Sequence, residues 1–265
     1  MISRFSGVSV SSDSAALVER RLRDRVAVLG LTDYTAYETY LRREDAGKIE
    51  LEHAVELLTS RETYFFREWD QLDTFSKHLL PEMAKAHRSG KHLVIWSAGC
   101  STGEEAYTLA ILIADSALFD GWSVRIFGSD ISRRAVRTAR AAVYGPASFR
   151  ELPSGFEKYF LEAAKGRSPI PSVKAMCHFA HLNLLDPDAL SILGRVHAVF
   201  CRNVLIYFDP GAKERVIRAF GARLGPGGLL LLGHSEFLAE PTKGFEMIKL
   251  DRALAYRRTE EGQTK

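Results

Sequence analysis

Residues 92–105 read HLVIWSAGCSTGEE. His92–Trp96 is a short apolar run, Ser97 to Gly103 is a small-residue turn, and Glu104 and Glu105 open a helical stretch that reaches Leu118. A strand, a glycine turn and a helix in that order begin a parallel α/β sheet. Gly99 and Gly103 allow a tight turn and close approach of backbone to a ligand. The spacing is neither GxGxxG nor GxxxxGK[ST], so it supports neither a dinucleotide fingerprint nor a P-loop. Two acids at the helix start suit its dipole but repel phosphate, which favours a cationic or neutral ligand.

The alternation continues toward the C-terminus. Ser123–Phe127 predicts a second strand, Arg133–Val143 a helix, and His178–Leu184 and Val196–Phe200 two more strands. Pro210–Leu224 predicts a helix, Gly228–Leu232 a strand, and Phe245–Leu250 with Ala253–Arg257 a closing hairpin. This is an α/β domain, residues 91–265, with a mostly parallel sheet and helices on both faces. One stretch breaks the rhythm: Pro146, Pro153, Pro169 and Pro171 lie between Tyr144 and His178, with a helical piece expected at Glu157–Ala164. A structureless loop that long is unusual in a compact domain, so residues 145–178 are taken as an inserted subdomain.

Toward the N-terminus the pattern is helical. Val18, Leu22, Val26 and Leu29 recur at helical spacing, with Arg20, Arg21, Arg23 and Arg25 among them. Thr35-x-x-Glu38 has the form of a capping box opening a second helix, and Leu51, Val55 and Leu58 mark a third. Residues 1–60 are therefore expected to form a helical domain. Phe65, Trp69, Leu72, Phe75 and Leu79 predict a linker helix within residues 61–90, perturbed by Pro81.

Composition sets the outer limits. In 265 residues, 46% hydrophobic and 26% charged residues support a sizeable core and exclude a mostly disordered chain. The longest apolar runs, Leu229–Leu232 and Ala110–Ala114, fall far short of the roughly 18 residues of a membrane span. Met1–Ser14 is serine-rich and has no apolar core of a secretory signal. A net charge of +3 is too mild to point to nucleic acid. Three cysteines without CxxC spacing argue against zinc or a disulfide framework and for a reducing, cytoplasmic setting.

Ligands of open α/β sheets bind beyond the carboxyl ends of the strands. Those ends carry the Ser97–Glu105 turn, Asp130, Asn183 to Asp186, and Cys201 to Phe208. Asp130 suits ribose hydroxyls, or equally the N-terminus of the following helix. One adenosine ligand with an amino-acid tail could use all four clusters.

SAGCSTGEE (97–105), Ser129-Asp130, Asn183-Leu184-Leu185, CRNVLIYF (201–208), GHSE (233–236) and TYFFRE (63–68) together resemble the chemotaxis receptor methyltransferases. The motifs stand in that family's order. The resemblance implies a class I S-adenosylmethionine-dependent methyltransferase fold, Rossmann-like, with a small all-helical N-terminal domain and an inserted β-subdomain. It implies formation of γ-glutamyl methyl esters on chemoreceptor cytoplasmic domains, with S-adenosylhomocysteine as product and no metal. By the same resemblance, Thr63 and Arg67 meet the methionine end of the cofactor. Ala98, Gly99 and Glu105 form its turn, Asp130 takes the ribose, Asn183 and Leu184 border the adenine, and Arg202 and Asn203 line the floor. Arg67 and Tyr207 are the implied catalytic pair. Arg61 is also a cofactor candidate and stands where the family often has Asn. The family docks receptors on a basic N-terminal helix, which here would be Arg20, Arg21, Arg23 and Arg25.

Two departures stand out. The helical domain looks one helix short before Ala15, and a single glycine, Gly166, lies between Phe160 and Phe179, where tethering relatives carry a longer glycine-rich loop. The expectation is therefore no binding of a receptor C-terminal peptide. A methyltransferase for nucleic acid or amide nitrogen would carry (Asp/Asn)-Pro-Pro-Tyr where this chain has Arg202-Asn203-Val204-Leu205. The other alternative is a cofactor-binding regulator of a chemosensory pathway without a receptor substrate.

Overall fold

The structure, a computed structural model, describes residues 1–9, 15–59, 62–191, 193–238 and 244–259. Four helices come first: α1 (Ile2–Ser6), α2 (Ala15–Val28), α3 (Tyr34–Leu41) and α4 (Glu44–Leu58). Leu22, Val26, Tyr37, Leu41, Leu51 and Ala54 form their common core, with Ile2 and Phe5 packed against it. The short helix α1 precedes Ala15, so the helical domain is not one helix short. The expected capping box at Thr35 is also corrected. Helix α3 starts one residue earlier, and the Asp33 carboxylate accepts from the Ala36 N–H at 2.8 Å. An ionised acid is the stronger acceptor for an orphan N–H, and it sits where the chain is already extended.

The linker differs from a single helix. Phe65 and Phe66 precede the first turn, and Phe66 and Glu68 have φ of 62° and 57°. Helix α5 (Trp69–Thr74) passes through a π-helical turn (Phe75–Leu79) into α6 (Leu80–Ala86). Pro81 follows the π-helical turn directly and the helix runs on through it, so the perturbation expected at Pro81 is a local change of helical pitch rather than a stop.

The sheet domain follows as β1 (His92–Ala98), α7 (Glu104–Ser116), β2 (Ser123–Asp130) and α8 (Arg133–Ala141). Next come β3 (Phe160–Ala163), β4 (Gly166–Pro169), α9 (Pro171–Met176), β5 (Cys177–His181), α10 (Pro187–Ser191) and β6 (Val196–Cys201). Helix α11 (Pro210–Arg223), β7 (Leu224–Leu232), β8 (Phe245–Leu250) and β9 (Ala253–Arg258) complete it. The main sheet has the order β5-β2-β1-β6-β7-β9-β8. β1, β2, β5, β6 and β7 pair in parallel, and β9 runs antiparallel to both its neighbours. Period-two alternation splits each central strand between two cores. Leu93, Ile95, Ala198, Phe200, Leu229 and Leu231 face the core of α7, whereas Trp96, Val199, Cys201, Leu230 and Leu232 face that of α11.

Residues 157–164 are not helical as expected: a three-residue 3-10 turn gives way to the β3–β4 hairpin, closed by Ala164 and Lys165. Phe160 is buried on its strand, stacked edge-on to Phe65 and Phe149. Tertiary aromatic packing thus overrides the local helical pattern. From β1 the chain builds outward to β2 and β5, then returns to β6 on the other side of β1. That switch point opens a crevice at the strand ends.

Candidate active site

The crevice is a cavity whose floor is the strand ends and whose cover is the helical domain. Gly99, Cys100, Ser101, Glu105, Asp130, Ile131, Leu182 to Leu184, Arg202 to Val204 and Tyr207 line one side. Ser6, Val8, Val55, Thr59, Glu62, Thr63, Tyr64 and Arg67 line the other. Of the expected cofactor residues, Thr63, Arg67, Gly99, Glu105, Asp130, Asn183, Leu184, Arg202 and Asn203 meet here, together with Tyr207. Ala98 does not line the cavity; it packs at 1% exposure in the α11 core, because the pleat turns it away one residue before Gly99. Arg61 lies outside the described residues.

The glycine turn is built by backbone geometry. Gly99 has φ of 79°, and a Cβ there would meet Val204 at 2.5 Å. Both the Gly99 and Cys100 N–H groups donate to the Ser129 carbonyl. Cys100 is buried, and burial raises its thiol well above the ordinary range, with Asp130 the largest neighbouring charge. It is a packing residue, not a thiolate nucleophile. The two oxygens of Asp130 accept from the Ser101 N–H and the Ser132 N–H, both at 2.8 Å. Ser132, not Asp130, is the N-cap of α8, through the Ala135 N–H at 3.0 Å.

Arg202 is the centre of the floor, its side chain 2% exposed. It reaches Glu105 at 3.2 Å, Glu68 at 3.2 Å and the Arg67 carbonyl at 2.5 Å. Its Nε is buried without a partner among the described residues. Burial pushes the Glu105 carboxyl up, although Arg202 and the Ser97 hydroxyl at 2.7 Å pull it down. Burial also acts upward on Glu68, but Arg202, the Asn203 amide and the His234 N–H outweigh it and hold this carboxyl below its ordinary range. Two carboxylates thus share one guanidinium, and Asp130 adds a third negative group nearby. That donor set fits S-adenosylmethionine: acids for a sulfonium, an ammonium and a ribose, with an unpaired guanidinium N–H in the floor.

Glu68 and Glu236 stand inside the motifs TYFFRE and GHSE, but neither was expected as a cofactor or catalytic residue. Glu236 is 8% exposed and accepts from the N–H groups of Asn203, Gly233 and Ile206 at 2.7, 2.8 and 3.0 Å. It fixes the turn after β6, in which Asn203 takes φ of 59°. Asn203 in turn donates to Glu68 at 2.9 Å. The N-terminal segment was also missed. The Asn183 side chain donates to the Phe5 carbonyl at 2.6 Å, and Val8 forms a β-bridge with Phe208. No local signal marks either contact. Arg67 donates to the Glu62 carbonyl at 2.6 Å and lies 6.0 Å from the Tyr64 ring, whose face is also covered by Arg150 at 3.7 Å. Arg67 makes no ion pair among the described residues: Glu68 pairs with Arg202 and Asp70 with Arg252.

Of the four helical arginines, Arg21 donates to the Leu57 and Leu58 carbonyls that end α4, and Arg25 pairs with buried Glu50. Arg20 and Arg23 are exposed. No helix among the described residues is long and apolar enough to cross a membrane.

Comparison with known proteins identifies the family. A chemotaxis protein methyltransferase of Vibrio cholerae is 30% identical over 98% of this chain and 90% of its own length. One from Pseudomonas aeruginosa is 35% identical over 88% and 82%. A probable biofilm formation methyltransferase of Pseudomonas aeruginosa is 32% identical over 96% of this chain and 60% of its own length. The model of the CheR methyltransferase all-alpha domain matches residues 1–59, and that of its SAM binding domain matches residues 61–254. With both halves matched in order and the cavity walled by each, the chain belongs to the CheR methyltransferases, which use S-adenosylmethionine as methyl donor.

Proposed function

We propose that the protein forms γ-glutamyl methyl esters on glutamates of a chemoreceptor cytoplasmic domain. The observation that carries this reading is the placement of Arg67 and Tyr207 on one cavity, with no carboxylate of the described residues paired to Arg67. Bound there, S-adenosylmethionine supplies an already activated methyl group. A glutamate, with an ordinary pKa near 4.3, is ionised at neutral pH and needs no general base. The chain's part is to bring the carboxylate in and fix its angle. Arg67 draws it in by a charge-assisted hydrogen bond, and the Tyr207 hydroxyl orients it.

The chemotaxis relatives support the substrate class, and exposed Arg20 and Arg23 suit an acidic helical partner; Arg21 and Arg25 serve the helical domain itself. The two-residue turn of the β3–β4 hairpin favours no grip on a receptor tail peptide. Saturable binding of an aromatic-containing tail peptide, lost on deleting residues 165–175, would overturn that part.

The main test is transfer of radiolabel from S-adenosylmethionine to the host's membranes. Base-labile label on a receptor is expected; base-stable label would reject the ester. Tyr207→Phe should keep cofactor affinity within about threefold and slow transfer about tenfold, the worth of one hydrogen bond of ~1.4 kcal/mol. Wild-type transfer in that variant would make the tyrosine a packing residue.

A further inference from the structure

Helix α4 approaches the cofactor cavity in two ways. Val55 and Thr59 form part of its wall. Glu52 and Glu56, four residues apart and so on one helix face, reach the segment that follows Asp130, the acid expected to take the ribose. Glu56 Oε1 accepts from the Ser132 hydroxyl at 2.7 Å and from the Arg134 N–H at 3.1 Å. Glu52 holds Arg133 through both carboxylate oxygens, at 2.6 and 3.1 Å. His181 backs the same segment, its Nε2 2.9 Å from the Ile131 carbonyl and 3.8 Å from Glu52.

The consequence for Asp130 is direct. Ser132 is buried and donates its N–H to Asp130, while its hydroxyl both caps α8 and is held by Glu56. A carboxylate at the start of α8 also meets the positive end of that helix's dipole. The acid expected to take the ribose is therefore set in place by a chain of hydrogen bonds that starts in the helical domain.

We propose that Glu52 and Glu56 are positioning residues that make cofactor binding a joint property of the two domains. They latch α4 onto the N-terminus of α8 and fix Asp130 and Ile131 in the cavity wall. Coupling between sites is reciprocal, so cofactor bound below α4 must tighten the latch by as much as the latch tightens the cofactor. A contact that served only to join the domains would raise stability and leave cofactor affinity untouched.

Calorimetry with S-adenosylhomocysteine on the full chain separates the two. Glu56→Ala should weaken binding about five- to twentyfold, less than the roughly ten- to hundredfold of a charge-assisted hydrogen bond made to the ligand itself, because the loss reaches the cofactor through Ser132 and Asp130. Glu56→Gln keeps an acceptor for Ser132 and should stay within about threefold of wild type. Transfer at saturating cofactor should change less than twofold in both. Arg133→Ala, which cuts the Glu52 arm at an exposed side chain, should give a smaller weakening in the same direction. Hydrogen exchange on the unaltered protein gives a readout that needs no variant: S-adenosylhomocysteine should slow amides of α4 as well as those of residues 131–136. Wild-type affinity in folded Glu56→Ala overturns the proposal. So does exchange in α4 that ignores the ligand, including the case in which Glu56→Ala fails to fold.

Discussion

Two buried carboxylate centres in this protein are balanced in opposite ways. In the helical domain Glu50 is 3% exposed and has Arg25 on both oxygens, with the Tyr37 hydroxyl at 2.8 Å. Burial acts upward on its carboxyl, yet Arg25 and Tyr37 more than offset this and hold it below its ordinary range. At the cavity, Glu68 and Glu105 divide one guanidinium, Arg202 leaves an N–H unpaired, and burial leaves the Glu105 carboxyl raised. A buried charge centre built for stability closes its own account of donors and acceptors. One that leaves a guanidinium N–H unpaired and a carboxyl raised has room for a ligand to complete it, and variants of the two centres test that contrast.

The largest expected break in this contrast is Arg202→Met. Removing the guanidinium leaves two carboxylates uncompensated, at a cost of about 3–5 kcal/mol for breaking a buried ion pair. Unfolding in urea should show that loss, and cofactor affinity should fall at least about a hundredfold. A stable variant with near-normal affinity would mean that the centre is not shared with the cofactor.

Asp130→Ala comes next. It removes the expected ribose acceptor and frees two backbone N–H groups, those of Ser101 and Ser132. Charged hydrogen bonds of ~1.5–3 kcal/mol correspond to a roughly ten- to hundredfold weaker S-adenosylmethionine complex. Unchanged calorimetric affinity would remove Asp130 from the site.

How far these residues could be read from sequence follows from the range of the forces that place them. The parallel sheet was legible because short continuous apolar runs and glycine turns act over a few residues, as at His92–Gly103. Asp130, Glu105 and Arg202 were legible because each stands at a strand end or helix start. Phe160 was misplaced on a helix because its partners, Phe65 and Phe149, are remote in sequence. The hold of Glu236 on the turn after β6 and that of Glu56 on α8 span 33 and 78 residues, and no local pattern encodes either. Helix α1 was missed because five residues carry too little periodicity to register.

A pH series sharpens the contrast further. Because burial raises the Glu105 carboxyl in the free protein, its ionised form is favoured by a cationic ligand, and binding should release a proton there. Affinity for S-adenosylmethionine should therefore fall as pH drops through the raised Glu105 value, by at most about tenfold per pH unit for one linked proton. Glu105→Gln should flatten that slope. A slope of the same size in the variant would assign the proton to another group.

The smallest effect on the cofactor is expected at the other centre. Arg25→Met removes the partner of Glu50 but touches nothing that lines the cavity, so S-adenosylhomocysteine should bind with wild-type affinity. Stability should fall. Arg25 is 26% exposed, so water can reach the vacated position, and Tyr37 still donates to Glu50. The loss should thus lie near the ~1–3 kcal/mol of a buried polar group left short of a partner. Its pH dependence has a definite sign. The lowered Glu50 value gives the wild type a contribution present above the unfolded carboxyl value, near 4.5, and lost as pH falls through the lower folded value. In Arg25→Met burial acts without its main counterweight, so protonation relieves the variant. The stability gap between the two proteins should be widest near neutral pH and should close as pH falls through the lowered Glu50 value. A gap that stays constant across that window, or a weakened cofactor complex at pH 7, would show that the two centres are not separate devices.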